Sequence, residues 1–232
     1  MVELTLEKGT KCCNLLFMRR ALKRITPEPV WLLIRKIIFY CTVFLYRHRP
    51  RPCRTGETTK AKARRTKEGF FERFCQGKGL DIGYGGDLLA DNCRGWDIEH
   101  GDAQMLEGIE DSEFDFVYSS HTLEHLDDAE VGLKNWWRVI KPGGYLILYL
   151  PERNLYERKK NLPSRWNNTH RRFFLLDRDE APDTAGVIPL IQKNLFGYEI
   201  IYARVCNEGY KIPAPNKNST GEYSIEAVIK KN

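Results

Sequence analysis

Paired cysteines are missing from this chain: the seven cysteines (Cys12, Cys13, Cys41, Cys53, Cys75, Cys93, Cys206) are odd in number, and none stands in a Cys-x-x-Cys pair. This excludes a zinc ribbon and a disulfide framework and points to a reducing compartment. A signal-peptide pattern is also absent, because Glu3 and Glu7 precede any apolar run. Long uninterrupted apolar stretches are few. The longest, Val30 to Tyr46, has 17 residues and contains Arg35 and Lys36, each costing about 2.5–3.5 kcal/mol at a bilayer centre.

Basic charge is abundant but uneven. Residues 1–65 hold 16 Lys/Arg against 4 Asp/Glu, and residues 66–232 hold 21 against 27. A basic arm thus precedes an acidic domain. Such an arm suits an anionic surface, either phospholipid headgroups or nucleic acid, with a solvated basic tail as the alternative.

Thr26-Pro-Glu-Pro-Val30 reads as a helix start, with Thr26 as N-cap and Pro27 at the first helical position, and Pro50 and Pro52 close the apolar run. Three placements are open for 30–46: an interfacial helix, a helix packed on the domain, and a true span. The flanks Arg19, Arg20, Lys23, Arg24 and Arg47, Arg49, Arg51, Arg54 favour the interfacial helix, held among anionic headgroups by residues 1–54. Residues 47–66, polar and with few apolar side chains, read as a linker, so the division is an arm over 1–65 and a folded domain over 66–232. From there the order is helix (67–76), strands (79–82, 93–97, 114–119), helix (127–140), strand (145–150) and two late strands (198–206, 223–229). Strands alternating with helices predict an α/β fold with a mostly parallel sheet.

The first strand runs into Gly79-Leu-Asp-Ile-Gly-Tyr-Gly-Gly-Asp87. The loop lacks the third glycine of Gly-x-Gly-x-x-Gly, since position 88 is Leu, and no Gly-Lys-Ser/Thr follows, which disfavours dinucleotides and nucleotide triphosphates. A carboxylate at Asp81 would repel a pyrophosphate and attract an α-ammonium, and Asp97, closing the next strand, can accept from ribose hydroxyls. The set suits a nucleoside without phosphate.

These residues resemble the class I S-adenosylmethionine-dependent methyltransferases, in particular the type 11 methyltransferase domain, over about Gly77 to Pro151. Gly79–Asp87 is similar to the first motif, Trp96-Asp-Ile to the ribose-binding acid, and Gly101-Asp-Ala-Gln to the adenine-contacting segment. Phe114-Asp-Phe-Val-Tyr-Ser-Ser-His-Thr-Leu-Glu-His resembles the fourth strand and its turn, and Trp137-Arg-Val-Ile-Lys-Pro-Gly-Gly-Tyr-Leu-Ile resembles the helix, turn and strand that follow. The resemblance implies a Rossmann-like three-layer sandwich, a seven-stranded sheet with a reversed last strand, and S-adenosylmethionine as cofactor. It implies Asp81, Gly83, Gly85, Asp97, Asp102, Ala103 and Ser119 as cofactor contacts. The chain departs from the family where only residues 83–92 separate the loop from the second strand and Asp97 stands five positions before Asp102; both intervening helices must be reduced or lost. The competing reading is a non-catalytic domain in which these acids cap turns.

The fourth-strand exit, Ser119-Ser-His-Thr-Leu-Glu-His125, lacks the Asn/Asp-Pro-Pro-Tyr/Phe usual for methylation of base nitrogens, which favours an oxygen acceptor. His121 is a candidate base. Glu124 and His125 are candidate metal ligands, although two ligands alone form no cage, so no metal is assigned. Arg158 to Phe174 carries six Arg/Lys, His170 and interleaved aromatics. Loops of the form Pro-Ser-x-Phe/Trp-Asn-x-x-His resemble a branch of type 11 domains associated with surface-glycan synthesis. That resemblance implies Trp166 and Asn167 at the acceptor and His170 as a second candidate base, with Arg165, Arg171 and Arg172 holding a phosphate or carboxylate. The expected activity is O-methylation of a saccharide or lipid-linked glycan at the cytoplasmic face of a membrane. An RNA methyltransferase ranks second, because the arm lacks regularly spaced aromatics for base stacking.

Overall fold

The computed structural model describes residues 56–232 and, from the preceding segment, Pro27, Val30, Leu33, Ile34, Ile37 and Cys41. The chain forms two compact units, Met1–His48 and Arg49–Asn232. In the first, Val30, Leu33, Ile34, Ile37 and Cys41 are helical. The rest of the expected arm, with the cap at Thr26 and the basic flanks, lies outside the described residues. Among the described residues no helix is long and apolar enough to cross a membrane.

The second unit begins with helix α1 (Glu57–Lys67) inside the stretch expected to be linker. Its sequence, ETTKAKARRTK, has no apolar stripe, so hydrophobic patterning misses it. The helix is held by polar contacts with distant parts of the chain. Glu57 lies in its first turn and Arg64, Arg65 and Lys67 in its last, the signs that suit the helix dipole. The fully buried Arg65 donates to Glu226 (2.7 Å) and to the Tyr118 hydroxyl (3.1 Å), and Arg64 reaches both Glu222 and Glu226 at 2.9 Å. The short helix α2 (Phe70–Phe74) follows and buries Phe70 and Phe74.

Strands β1 (Gly79–Ile82), β2 (Cys93–Trp96), β3 (Phe114–Ser120) and β4 (Ile140–Pro151) come next, with helix α3 (Ala129–Arg138) before β4. A small pair, β5 (Phe173–Leu175) and β6 (Thr184–Gly186), precedes helix α4 (Val187–Asn194), and β7 (Tyr198–Cys206) and β8 (Ser224–Lys231) end the chain. The main sheet has the order β2-β1-β3-β4-β8-β7. Strands β1 to β4 are parallel, and β8 runs antiparallel to both β4 and β7, so the last strand is the reversed one, as expected. The expected seven strands are six. The segment between Trp96 and Phe114 holds only turns and is too short to lay down a further edge strand with its helix.

Alternating strand positions feed two cores. Leu80, Ile82, Val117, Leu146 and Leu148 face α3 and α4, including Trp136 and Ile191. Phe116, Tyr118, Ile147 and Tyr149 face α1 and α2, including Ala61, Phe70 and Phe74. Helices on both faces of one mostly parallel sheet make the three-layer Rossmann-like sandwich, and the carboxyl ends of β1, β2 and β3 lie together at one edge, where such sheets bind ligands.

Candidate active site

Asp81 is fully buried at the end of β1. Its Oδ2 accepts from the Leu89 N–H at 2.8 Å, and its Oδ1 has no hydrogen-bond partner in the chain. Burial pushes the Asp81 carboxyl up to about 7, with the Leu89 N–H and Arg65 opposing, and Asp87 and Asp97 adding to the rise. The loop then turns through Gly83, Gly85 and Gly86, all at positive φ. At Gly83 (φ 76°) a Cβ would lie 1.9 Å from the Thr122 Oγ1, so only glycine lets the loop lie against the β3 exit.

Asp97, at the end of β2, accepts from the Gly85 N–H (3.2 Å) and the Ile98 N–H (2.7 Å). Asp81 on β1 and Asp97 just after β2, the acids expected at the ammonium and the ribose, therefore bracket the glycine loop. A buried carboxylate oxygen lacking an internal donor, beside a loop that is closed to a side chain at Gly83, fits a cationic, phosphate-free cofactor. Asp102 accepts from the Gln104 N–H at 2.8 Å and organises the turn in which Ala103 lies; the Ala103 carbonyl accepts from the Trp136 indole N–H at 2.7 Å. Ser119 is buried and donates to the Ile82 carbonyl at 3.1 Å, so its hydroxyl ties β3 to β1. Asp87 carries a role not seen from sequence: it accepts from the Gly56 and Thr59 N–H groups at 2.9 and 3.1 Å and so fastens the start of α1 to the glycine loop.

Around Thr122, which donates to the Ile82 carbonyl at 3.2 Å, lies a cluster of histidines. His121 has φ 49°, a left-handed conformation costing about 1–3 kcal/mol for such a residue. It is held by its N–H to the Tyr149 carbonyl (2.9 Å) and by Nε2 with the Ser224 hydroxyl (2.8 Å). Burial, reinforced by His170, Lys60 and His125, holds the His121 imidazole well below its ordinary range, so it is neutral at neutral pH. His170, reached only through the long loop after β4, places Nδ1 3.0 Å from Glu157. Burial raises the Glu157 carboxyl, but the hydrogen bonds from His170 and Ser164 prevail and hold it below its ordinary value. The fully buried Glu124 lies among the three rings, and burial raises it to about 7. Burial and His170 bring His125 down to about 4. His121, Glu124, His125 and His170, spread through 50 residues of sequence, thus meet in one place.

The basic loop differs in part from expectation. Arg172 donates to the carbonyls of Leu123, Leu126 and Asp127, and Arg171 donates to the His125 carbonyl and pairs with Asp127 at 2.8 Å. Both were expected to hold an acceptor anion. They instead serve carbonyls around the short turn Leu123–His125, which is too short to satisfy these groups itself. Asn167 accepts from the Thr169 N–H and hydroxyl and so shapes its own turn. Trp166 donates its indole N–H to the Tyr156 carbonyl at 2.7 Å, with Arg158 and the exposed Arg165 over its ring. Glu157, Tyr156 and Ser224 were not found from sequence, because each matters only through a neighbour distant along the chain.

Residues 55–148 match the model of a methyltransferase domain family. No curated protein matches the chain. Among solved structures, one from a study of the conversion of a disulfide bond into a thioacetal group during echinomycin biosynthesis is 16% identical, covering 74% of this chain and 82% of that one with a TM-score of 0.50. An S-adenosylmethionine-dependent methyltransferase from Thermotoga maritima, described as a possible histamine N-methyltransferase, is 19% identical, with 74% and 97% coverage and a TM-score of 0.40. Another methyltransferase, from Methanosarcina mazei, is 20% identical, with 66% and 92% coverage and a TM-score of 0.43. The domain match over residues 55–148, the sheet with its reversed last strand and the acid-flanked glycine loop identify a class I S-adenosylmethionine-dependent methyltransferase domain in this chain.

Proposed function

We propose that the enzyme transfers the methyl group to an oxygen of a saccharide or lipid-linked glycan. The observation that carries this reading is the contact between the glycine loop and the histidine cluster: Thr122, which a Cβ at Gly83 would strike, directly follows His121 and precedes Glu124 by two residues. An acceptor hydroxyl brought against the sulfonium methyl at this edge would meet groups able to take or polarise its proton. Methyl transfer needs alignment most of all, worth up to about 7–11 kcal/mol, and a positioned base adds about 10²–10⁴ in rate for a hydroxyl. His121, neutral and with Nδ1 turned towards Glu124 at 3.9 Å, is the residue suited to receive the proton. The saccharide class rests on the Pro163-Ser164-x-Trp166-Asn167-x-x-His170 pattern, with Trp166 and its neighbour Arg165 best placed to meet an acceptor.

The exposed Val30, Leu33, Ile37 and Cys41, at helical spacing, support an arm that lies on an anionic membrane face with its apolar side in the interface. The test is to incubate the full chain and labelled S-adenosylmethionine with glycan, lipid and RNA fractions. We expect label in glycan or lipid, in products one CH2 heavier at oxygen; label confined to RNA would overturn the reading. Vesicles containing anionic lipid should float the full chain and leave behind a chain lacking residues 1–55.

Asp81 provides a pH signature. Its carboxyl is raised from 3.8 to about 7, so the folded unit holds a proton that the unfolded chain loses, and this group's contribution to stability falls as pH rises from about 4 to 7. The cofactor ammonium favours the ionised form. Binding of S-adenosylhomocysteine should therefore weaken about tenfold per pH unit below pH 7, and Asp81→Asn should flatten the profile. Calorimetric titration across this range measures it; an unchanged slope in the variant would remove Asp81 from the cofactor site.

A further inference from the structure

The buried Glu124 poses a question that the fold does not answer. Neither of its side-chain oxygens finds a hydrogen-bond partner in another residue, and its side chain is fully buried. A carboxylate so placed is expensive unless a cation or donors attend it. Three imidazole nitrogens surround the same oxygen, Oε1: His170 Nε2 at 3.8 Å, His125 Nε2 at 3.9 Å and His121 Nδ1 at 3.9 Å. These separations are too long for hydrogen bonds. With metal–nitrogen and metal–oxygen bonds of about 2.0–2.2 Å, adjacent ligands of a tetrahedral ion stand roughly 3.4 Å apart, so small inward shifts would let an ion fit between them.

The outer sides of the rings point the same way. His170 Nδ1 meets Glu157 at 3.0 Å, His125 Nδ1 meets the Thr169 hydroxyl at 2.8 Å and His121 Nε2 meets the Ser224 hydroxyl at 2.8 Å. Each ring is thus anchored through one nitrogen and presents the other to Glu124. Metal-ligating histidines are held in this way, with the second nitrogen bonded to a carboxylate, carbonyl or hydroxyl that fixes the ring and its tautomer. Side-chain donor atoms of Glu124, His125 and His170 all lie within 4.8 Å of one another, and His125 is the more open of the two histidines, with 29% of its side chain exposed against 2% for His170.

We infer that Glu124, His125 Nε2 and His170 Nε2 bind a first-row divalent transition ion, with a coordination position left for the acceptor oxygen. One carboxylate and two imidazoles suit Zn2+ or its neighbours better than Mg2+ or Ca2+, which prefer oxygen. The inference deepens the oxygen-acceptor reading and rests on it for the ion's role. The ion would bind the acceptor hydroxyl as a Lewis acid, and the hydroxyl proton would pass to His121 Nδ1. The oxygen–carbon bond then forms as the carbon–sulfur bond breaks, its electron pair remaining on the sulfur of S-adenosylhomocysteine.

The experiment reads metal directly. Full-length protein is stripped with chelator, loaded with Zn2+ or Co2+, freed of excess ion and assayed by elemental analysis, with visible absorption for Co2+. We expect one ion per chain and a Co2+ spectrum typical of nitrogen and oxygen ligands. Both should be lost in Glu124→Gln and in His125→Ala, and metal affinity should fall about 10- to 100-fold in Glu157→Gln. Each variant is checked for retained S-adenosylhomocysteine binding, so that misfolding is recognised; His125→Ala, at the more open ligand, is the variant least exposed to that failure. A wild-type chain that binds the cofactor product yet retains no ion would overturn the inference, as would folded Glu124→Gln and His125→Ala variants that retain it. Metal retained by a chain that methylates nitrogen alone would instead count against the oxygen-acceptor reading and leave the site standing.

Discussion

Arg65→Ala is expected to destabilise the unit comprising residues 49–232 by about 3–5 kcal/mol, the cost of breaking a buried ion pair by removing one partner. The guanidinium is fully buried, bonded to Glu226 and to the Tyr118 hydroxyl, and packed over the rings of Phe70, Tyr118 and Tyr149 at 4.7–5.0 Å. The variant therefore leaves a buried carboxylate with only part of its compensation and a gap among aromatic faces. Urea denaturation followed by circular dichroism measures the loss, and a change below about 1 kcal/mol would show that the network is not what secures α1. The same pair has an acid limb. Burial alone would raise the Glu226 carboxyl, but the charges and hydrogen bonds of Arg65 and Arg64 outweigh it and bring it down from 4.5 to about 2. A lowered carboxylate contributes stability that is complete above the unfolded value and is lost as pH falls through the folded one. Native stability should thus decline between about pH 4.5 and 2, and Arg65→Ala should show a shallower decline over that window.

The second large effect is at the glycine loop. Gly83→Ala should weaken S-adenosylhomocysteine binding by about tenfold to a hundredfold, for two reasons that act together. A side chain at φ 76° is strained by itself, and its Cβ would overlap the Thr122 Oγ1. Thr122 would have to move, taking with it the bond to the Ile82 carbonyl that joins loop and β3 exit. Gly86→Ala is the control: φ there is 89°, but a Cβ meets nothing within 4 Å, so only the backbone strain is felt. Calorimetric titration with thermal stability recorded in parallel separates lost binding from lost folding. Equal losses in the two variants would show that contact with Thr122 contributes nothing.

Both effects bear on the same edge of the molecule. Asp87 fastens the start of α1 to the glycine loop, and Arg64 and Arg65 fasten its end to Glu222 and Glu226 near β8. Tyr149 donates to Glu222 at 2.7 Å, and Ser224, the first residue of β8, holds His121. The helix that sequence patterning treats as linker is therefore tied both to the loop flanked by Asp81 and Asp97 and to the strand that supports a histidine of the cluster.

The glycine loop, the two acids at strand ends and the order of strands were legible in the residues themselves, because their signals are local. Strands β1 and β7 fall at the expected positions, and Asp81, Gly83, Gly85 and Asp97 lie within a short stretch whose spacing already implies one loop between two strands. Helix α1 was not legible: its stabilising partners, Glu222 and Glu226, are about 160 residues away in sequence, and a polar segment looks like linker until those carboxylates are placed beside it. The surroundings of Arg171 and Arg172 were not legible for a related reason, since charge suggests an anion while the tertiary structure brings Arg172 to three backbone carbonyls and Arg171 to one carbonyl and to Asp127. The histidine cluster shows the division most clearly. The sequence by itself determined a class I methyltransferase fold and its cofactor loop, both carried by neighbouring residues. Only the tertiary structure decided that His170, Glu157 and Ser224 close around Glu124, because burying a carboxylate among three anchored imidazoles requires the long loop and the last strand to pack against one turn.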